Sequence, residues 1–189
     1  MAILITGGAR SGKSRFAEQY AAQHGTSGTY VATSQALDDE MRDRVAQHQA
    51  RRVASSFAWN TVEEPYDLSG LLAVKNGSII LIDCLTLWLT NWLLRYEQEH
   101  DCESKVMAKV DELAEVLGKV SGTVLVVTNE VGDGIVPEYP LGRLFRDLAG
   151  WMNQRIAAVC SEVYLVTAGI PVELKQLAYR FPEERKAGE

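Results

Sequence analysis

Gly7-Gly8-Ala9-Arg10-Ser11-Gly12-Lys13-Ser14 decides how the rest of the chain is read. The stretch fits G-x-x-x-x-G-K-[ST] at every required position, and its flanks supply the context that the motif needs. Ile3-Leu4-Ile5-Thr6 before it reads as a short buried strand. Ser14-Arg15-Phe16-Ala17-Glu18-Gln19-Tyr20-Ala21 after it reads as the first turns of an amphipathic helix. Such a loop can wrap a phosphate in its backbone N–H groups, and the helix N-terminus adds partial positive charge. Lys13 is expected to reach the outer phosphates, and the Ser14 hydroxyl to ligate Mg²⁺. An ordinary βα turn with two glycines and a surface lysine would use the same residue types but would not need motif and context to agree. The chain is expected to bind a nucleoside triphosphate.

Outward from this loop the pattern alternates. Gly25-Thr26-Ser27-Gly28 ends the first unit, and Thr29-Tyr30-Val31-Ala32-Thr33 reads as the second strand, with Ser34 leaving its carboxyl end. In open α/β sheets that end is where ligands sit. A polar helix is expected from Asp38 to Arg52, opened by acids that suit its dipole. Val53 to Asn60 reads as a linker, Tyr66 to Val74 as a short helix and Asn76-Gly77 as a turn. Ser78-Ile79-Ile80-Leu81-Ile82-Asp83 then describes a central strand with a carboxylate at its tip, the Walker B arrangement. There Asp83 would hold Mg²⁺ directly or through water; a strand-end acid that caps the next helix is the other reading.

Cys84 to Gln98 is a helix apolar around most of its circumference, buried on two sides or facing a partner subunit. Glu103 to Val120 is a regular amphipathic helix, and Thr123 to Thr128 an apolar strand that delivers Asn129 and Glu130 to the same carboxyl edge. Gly132 to Pro140 is a glycine- and proline-rich loop of lid length. In the helix from Leu141 to Val159, Leu144, Phe145, Leu148, Met152, Ile156 and Val159 are expected inside, and Arg143, Arg146, Asp147, Asn153, Gln154 and Arg155 outside. Glu162 to Thr167 reads as the last strong strand, followed by a turn at Gly169-Ile170-Pro171 and a charged tail from Arg180. The whole describes one α/β domain over residues 1–189, P-loop NTPase-like and RecA-like. Its sheet is mainly parallel, with helices on both faces.

Composition narrows the function. The net charge of −6 argues against general nucleic-acid binding, which wants a basic footprint. Cys84, Cys102 and Cys160 are odd in number and lack metal-ligand spacing, so they read as ordinary thiols in a reducing compartment. The amino terminus enters a strand at once, leaving no room for a signal peptide. Ile79 to Leu94 is too short and too polar to span a bilayer. A cytoplasmic protein is expected.

A P-loop alone leaves kinase, NTPase switch, motor and nucleotidyltransferase open. The switch is disfavoured because Thr128-Asn129-Glu130-Val131 lacks the lysine of a guanine-reading Asn-Lys-x-Asp segment, and small size favours a small-molecule kinase. Longer blocks are more specific. They are Thr6 to Arg15, Tyr30-Val31-Ala32-Thr33, Asp38-Asp39-Glu40-Met41, Thr128-Asn129-Glu130-Val131-Gly132, Gly134-Ile135-Val136-Pro137, Phe145-Arg146-Asp147 and Gly150 to Arg155. In these blocks the chain resembles the bifunctional adenosylcobinamide kinase/adenosylcobinamide-phosphate guanylyltransferase family of cobalamin biosynthesis.

The resemblance implies two reactions. In the first, GTP or ATP gives its γ-phosphoryl group to the aminopropanol hydroxyl of adenosylcobinamide. In the second, GTP guanylylates a histidine, and the GMP passes to adenosylcobinamide phosphate. The family's histidine falls at His48, whose place on a polar helix would otherwise read as solvated. Neutral imidazole is a competent nucleophile near neutral pH. The resemblance also implies a nucleotide site lined by Thr33, Ser34, Gln49, Ala50, Arg51, Arg52, Glu63 and Asp83, and a homotrimer. A carboxylate such as Glu63 can accept both the N1–H and the exocyclic amine of guanine. A monofunctional P-loop kinase with His48 a bystander, and a non-catalytic nucleotide-binding subunit, are the competing readings.

Overall fold

Ala2–Thr6 (β1) is buried along its whole length, as a strand covered on both faces must be. It lies near the middle of the sheet in a computed structural model that describes residues 1–34, 57–74 and 78–179. The other strands are β2 (Ser27–Ala32), β3 (Ala58–Glu63), β4 (Ile79–Asp83), β5 (Thr123–Val127), β6 (Glu162–Thr167) and β7 (Ile170–Glu173). Their spatial order is β3-β2-β4-β5-β1-β6-β7. All pairs are parallel except β6–β7. This is the mainly parallel α/β sheet expected of a P-loop NTPase.

Alternation along each strand sorts the core into two layers. Ile3, Ile5, Leu81, Leu125 and Val127 meet Ala17, Tyr20 and Ala21 of α1 (Lys13–His24) on one face. Leu4, Val31, Ile80, Ile82, Val124 and Val126 point the other way. There they meet α2 (Leu68–Val74), α3 (Leu85–Tyr96), α4 (Cys102–Leu117) and α5 (Pro140–Val159). Most of the apolar surplus of α3 is absorbed inside the chain, with Leu94, 45% exposed, the exception. Leu85, Trp88, Leu89, Trp92 and Leu93 are all buried, and the helix packs on both α4 and α5. Within the chain the helix is buried on two sides, as one of the two readings expects.

The structure differs from the sequence reading in four places. The residues read as a linker up to Asn60 end in β3, an edge strand parallel to β2. Its mixed pattern Ala-Trp-Asn-Thr-Val-Glu is mostly exposed and carries no clean alternation. Ser27-Gly28 belong to β2 rather than to a turn; a Cβ on Gly28 would sit 2.6 Å from the Ile79 carbonyl oxygen, so glycine permits the close approach of β4. The turn at Gly169-Ile170-Pro171 opens β7, where Pro171 is tolerated because the strand lies on the edge. A single turn, α6 (Leu174–Leu177), follows, capped by Glu173 accepting from the backbone of Lys175 and Gln176.

The fourth difference is on α5. Val159, expected inside, is 38% exposed in the last turn, beyond the core stripe. Arg146 and Asn153, expected outside, are half-buried. Asn153 follows the buried Ala149 by four positions and precedes the buried Ile156 by three, which puts it on the inner face. The expected polar helix over 38–52, the Asn76-Gly77 turn and the tail from Arg180 fall outside the described residues.

Candidate active site

The chain leaves β1 through the glycine loop and enters α1 at Lys13. Gly12 occupies the left-handed region at φ 97°, and α1 begins with no side-chain cap and no acid in its first turn. The first-turn amides therefore face outward without an internal anion, the arrangement that binds phosphate. Lys13 is buried, and its Nζ donates to the Gly8 carbonyl at 3.1 Å, so the ammonium is folded back over the loop. The Thr6 and Ser11 hydroxyls are buried and find no partner among the described residues.

Two neighbours hold this loop in shape. The β6–β7 turn, with Ala168 at φ 53° and Gly169 at φ 80°, donates Gly169 N–H to the Ser11 carbonyl at 2.8 Å. Gly7 runs so close to β6 that an added Cβ would lie 2.4 Å from the Val166 carbonyl oxygen. On the other side, Glu130 N–H donates to the Gly7 carbonyl at 3.1 Å, tying the β5 exit to the loop. The helices that follow β1 and β5 lie on opposite faces of the sheet, so these adjacent strands flank a crevice.

The β5 exit is itself anchored from the helix layer. Asn153 Nδ2 donates to the Asn129 carbonyl at 3.2 Å, and its Oδ1 accepts from Thr128 Oγ1 at 2.8 Å. Asn129 Nδ2 donates to Thr86 Oγ1 at 2.7 Å. Glu130 turns its carboxylate back to accept from Gly132 N–H, and Arg146 donates to the Gly132 carbonyl. The lid-length loop that follows carries Ile135 and Val136, 96% and 55% exposed.

The strand order places β3 beyond β2 and β5 beyond β4, so the β2–β4 boundary is a second point on this edge where the topology sets a crevice. Ala32 is paired with Glu63 on one side and Asp83 on the other. Strand spacing then sets the two acids about 10 Å apart on one edge. Asp83 Oδ2 accepts from the Tyr30 hydroxyl at 3.1 Å. Thr33 is fully buried; its Oγ1 accepts from Cys84 N–H at 2.9 Å and donates to the Cys84 carbonyl at 2.7 Å. That hydroxyl is engaged by the framework, while Ser34 is half-buried and Glu63 exposed. Burial, and secondarily the Asp83 charge, push the Cys84 thiol up, so it is no nucleophile near neutral pH. All three cysteines are buried free thiols, as expected.

Lys13, Ser14, Thr33, Ser34, Glu63 and Asp83 thus share the carboxyl edge. His48, Gln49, Ala50, Arg51 and Arg52 lie outside the described residues. Thr86, Asn91, Asn153 and Arg146 were not picked out as site residues. Thr86 and Asn91 signal themselves only as polar side chains on a buried face of an apolar helix, whereas Arg146 and Asn153 also fall within the blocks that carry the family resemblance. Among the described residues no group of three or more His, Cys, Asp or Glu could cage a metal. One hydroxyl and one carboxylate beside a phosphate cradle is a donor set that suits Mg²⁺, which keeps water and phosphate oxygens among its ligands.

The family model for cobinamide kinase/cobinamide phosphate guanyltransferase matches residues 3–174. The chain belongs to this family. A bifunctional adenosylcobalamin biosynthesis protein of Pseudomonas aeruginosa is 46% identical over 177 residues, covering 93% of this chain and 98% of that one. One of Escherichia coli is 41% identical over 185 residues, covering 93% of this chain and all of the other. A solved structure from Pyrococcus horikoshii shares the fold alone, with a TM-score of 0.50 and 10% identity over 91% of this chain and 84% of its own. Membership makes the chain a bifunctional kinase and guanylyltransferase of cobalamin biosynthesis, and the matched span contains both crevices. No helix among the described residues is long and apolar enough to cross a membrane.

Proposed function

We propose that one edge of this sheet runs both reactions in sequence. The observation that carries the reading is the phosphate cradle: an uncapped helix start, a buried Lys13 and Asp83 on the same edge. In the first reaction the acceptor is the aminopropanol hydroxyl of adenosylcobinamide and the donor is GTP or ATP. The hydroxyl oxygen bonds to the γ-phosphorus as the β–γ bridging O–P bond breaks, and the hydroxyl proton passes to water or to an oxygen of the transferred phosphoryl group. Lys13 and the loop amides neutralise charge on the departing diphosphate, and each helps only as far as it binds the transition state better than the bound nucleotide. Ser14 and Asp83 would hold Mg²⁺, which supplies further charge neutralisation on the phosphate oxygens.

In the second reaction a ring nitrogen of His48 bonds to the α-phosphorus of GTP, and pyrophosphate leaves. A phosphate oxygen of adenosylcobinamide phosphate then takes the GMP as the P–N bond breaks, giving adenosylcobinamide-GDP and the free imidazole. Glu63 reads guanine, with Thr33, Ser34, Gln49, Ala50, Arg51, Arg52 and Asp83 around the nucleotide. The exposed loop after Gly132 covers the acceptor. The enzyme works as a cytoplasmic homotrimer, for which the exposed apolar residues Ile170, Leu177 and Tyr179 beside the β7 edge offer a contact surface.

Incubation with α-³²P-GTP and Mg²⁺ tests the transferase half. Acid-labile covalent label on the wild type, absent from His48→Ala, is expected. No label on the wild type would leave a kinase alone, and label persisting on His48→Ala would move the nucleophile elsewhere.

A further inference from the structure

Asn91 sits in the middle of α3, in the run Leu85-Thr86-Leu87-Trp88-Leu89-Thr90-Asn91-Trp92-Leu93-Leu94. It is only 9% exposed. A buried amide in such a helix is costly unless its hydrogens are used. Here both are. Asn91 Nδ2 donates to the Thr33 carbonyl at 2.8 Å and to the Pro65 carbonyl at 3.0 Å. An amide nitrogen has two hydrogens, so this pair of acceptors fixes which way the side chain faces.

The two carbonyls lie just past the ends of different strands. Thr33 is the first residue after β2, and Pro65 follows Glu63 by two after β3. Three positions earlier on α3, Trp88 Nε1 donates to the Tyr66 carbonyl at 2.8 Å, so the helix grips this turn twice from one face. Glu64 N–H donates to the Ala32 carbonyl at 2.9 Å, closing the same turn onto β2. Thr33 also brackets the backbone of Cys84, the residue after Asp83. One side chain therefore joins the exits of β2 and β3, and through Thr33 the exit of β4.

We infer that Asn91 is a specificity-positioning residue. By bridging the Thr33 and Pro65 carbonyls it holds Ser34 and Glu63 at the separation that reads a guanine rather than an adenine. The inference rests on the reading of Glu63 as the guanine contact. It needs no contact between Asn91 and the nucleotide. The phosphate loop, on the other side of β4 and β5, is held by Gly169, Glu130 and Val166 instead.

The test is nucleotide preference in the full chain, measured by competition of GTP and ATP against a fluorescent nucleotide. Asn91→Leu fills the space and removes both donors. It should lower the preference for GTP over ATP about tenfold and leave ATP affinity within about twofold, since two unpaired carbonyls free the exits but not the phosphate loop. Asn91→Gln keeps both donors one methylene further out and should recover part of the preference. A residue that only filled space would rank the other way, with Leu equal to or better than Gln. Glu63→Gln is the reference. If it abolishes the preference and Asn91→Leu does not, the inference fails and the guanine reading survives. Equal weakening of both nucleotides in Asn91→Leu also overturns it. If the wild type shows no preference, the reading of Glu63 fails and the inference falls with it.

Discussion

The crevice between β1 and β5 and the crevice between β2 and β4 are built from different materials. In the first, main-chain groups form most of the lining, with Lys13 folded over them. Glycine-loop amides and an uncapped helix start face outward, and Gly169 and Glu130 brace them through main-chain hydrogen bonds. In the second, the residues lining the edge are held by side chains such as Thr33, Tyr30 and Asn91, whose polar atoms are engaged with the framework. A backbone site recognises a charge that every nucleoside triphosphate carries. A site framed by side chains can tell one base from another, because an unmatched buried donor or acceptor is penalised. The division fits an enzyme that needs a phosphate grip in both reactions and guanine in one.

The largest effects should come from separating the two chemistries. Lys13→Ala is expected to lower adenosylcobinamide phosphorylation by about 100-fold or more, the scale of losing a preorganised charge donor. It should depress covalent labelling too, because pyrophosphate leaves through the same cradle. His48→Ala should abolish labelling while phosphorylation of adenosylcobinamide persists. If Lys13→Ala labelled at the wild-type rate, the two crevices would not share one triphosphate.

Gly7→Ala tests the backbone half next. The new methyl would meet the Val166 carbonyl 2.4 Å away and the Ser11 Oγ 2.7 Å away. Overpacking of that kind costs about 1–3 kcal/mol and would push the loop off β6. Thermal melting should fall, and the affinities for GTP and ATP should fall together, unlike the selective loss at Asn91. Unchanged affinities for both would show that the loop does not depend on its β6 wall.

Asn153→Ala is milder. It frees the Asn129 carbonyl and the Thr128 hydroxyl, loosening the β5 exit without touching the phosphate loop directly. A rise of about three- to tenfold in KM for adenosylcobinamide is expected with nucleotide affinity held, from the loss of two modest hydrogen bonds. Should nucleotide affinity move instead of KM, the β5 exit would belong to the donor rather than the acceptor.

These differences also explain what was legible in the sequence. The backbone crevice was readable because glycine and lysine spacing states a conformation directly, and the buried strands β1, β4 and β5 are continuous apolar runs. The strands β3 and β7 were missed because edge position removes both signals: β3 mixes Asn, Thr and Glu into an exposed ladder, and β7 is four residues with a proline. Asn91 and Asn153 were passed over or placed outside. An isolated amide on a helix says nothing about its partner until the helix is docked on a particular pair of strand exits.

The smallest expected effect concerns stability on the backbone side, where α1 meets β6. Tyr20 and Tyr164 both donate to Glu162 Oε2, at 3.1 and 2.8 Å. Burial, reinforced by the Glu162 charge, pushes the Tyr20 phenol up to about 12, and the same causes raise Tyr164. Between the ordinary phenol value of 10.0 and about 12 the folded chain holds a proton that the unfolded chain has released. Stability therefore falls with rising pH in that window, because the folded state binds more protons. Below pH 10 the contribution is complete, and it is lost as the pH climbs through the folded value. Melting temperature followed from pH 8 to 11.5 should decline in the wild type and decline less in Tyr20→Phe, which has no proton to lose at that position. Identical slopes would place the alkaline sensitivity elsewhere, and a weaker slope in the wild type would reverse the sign assigned to this contact.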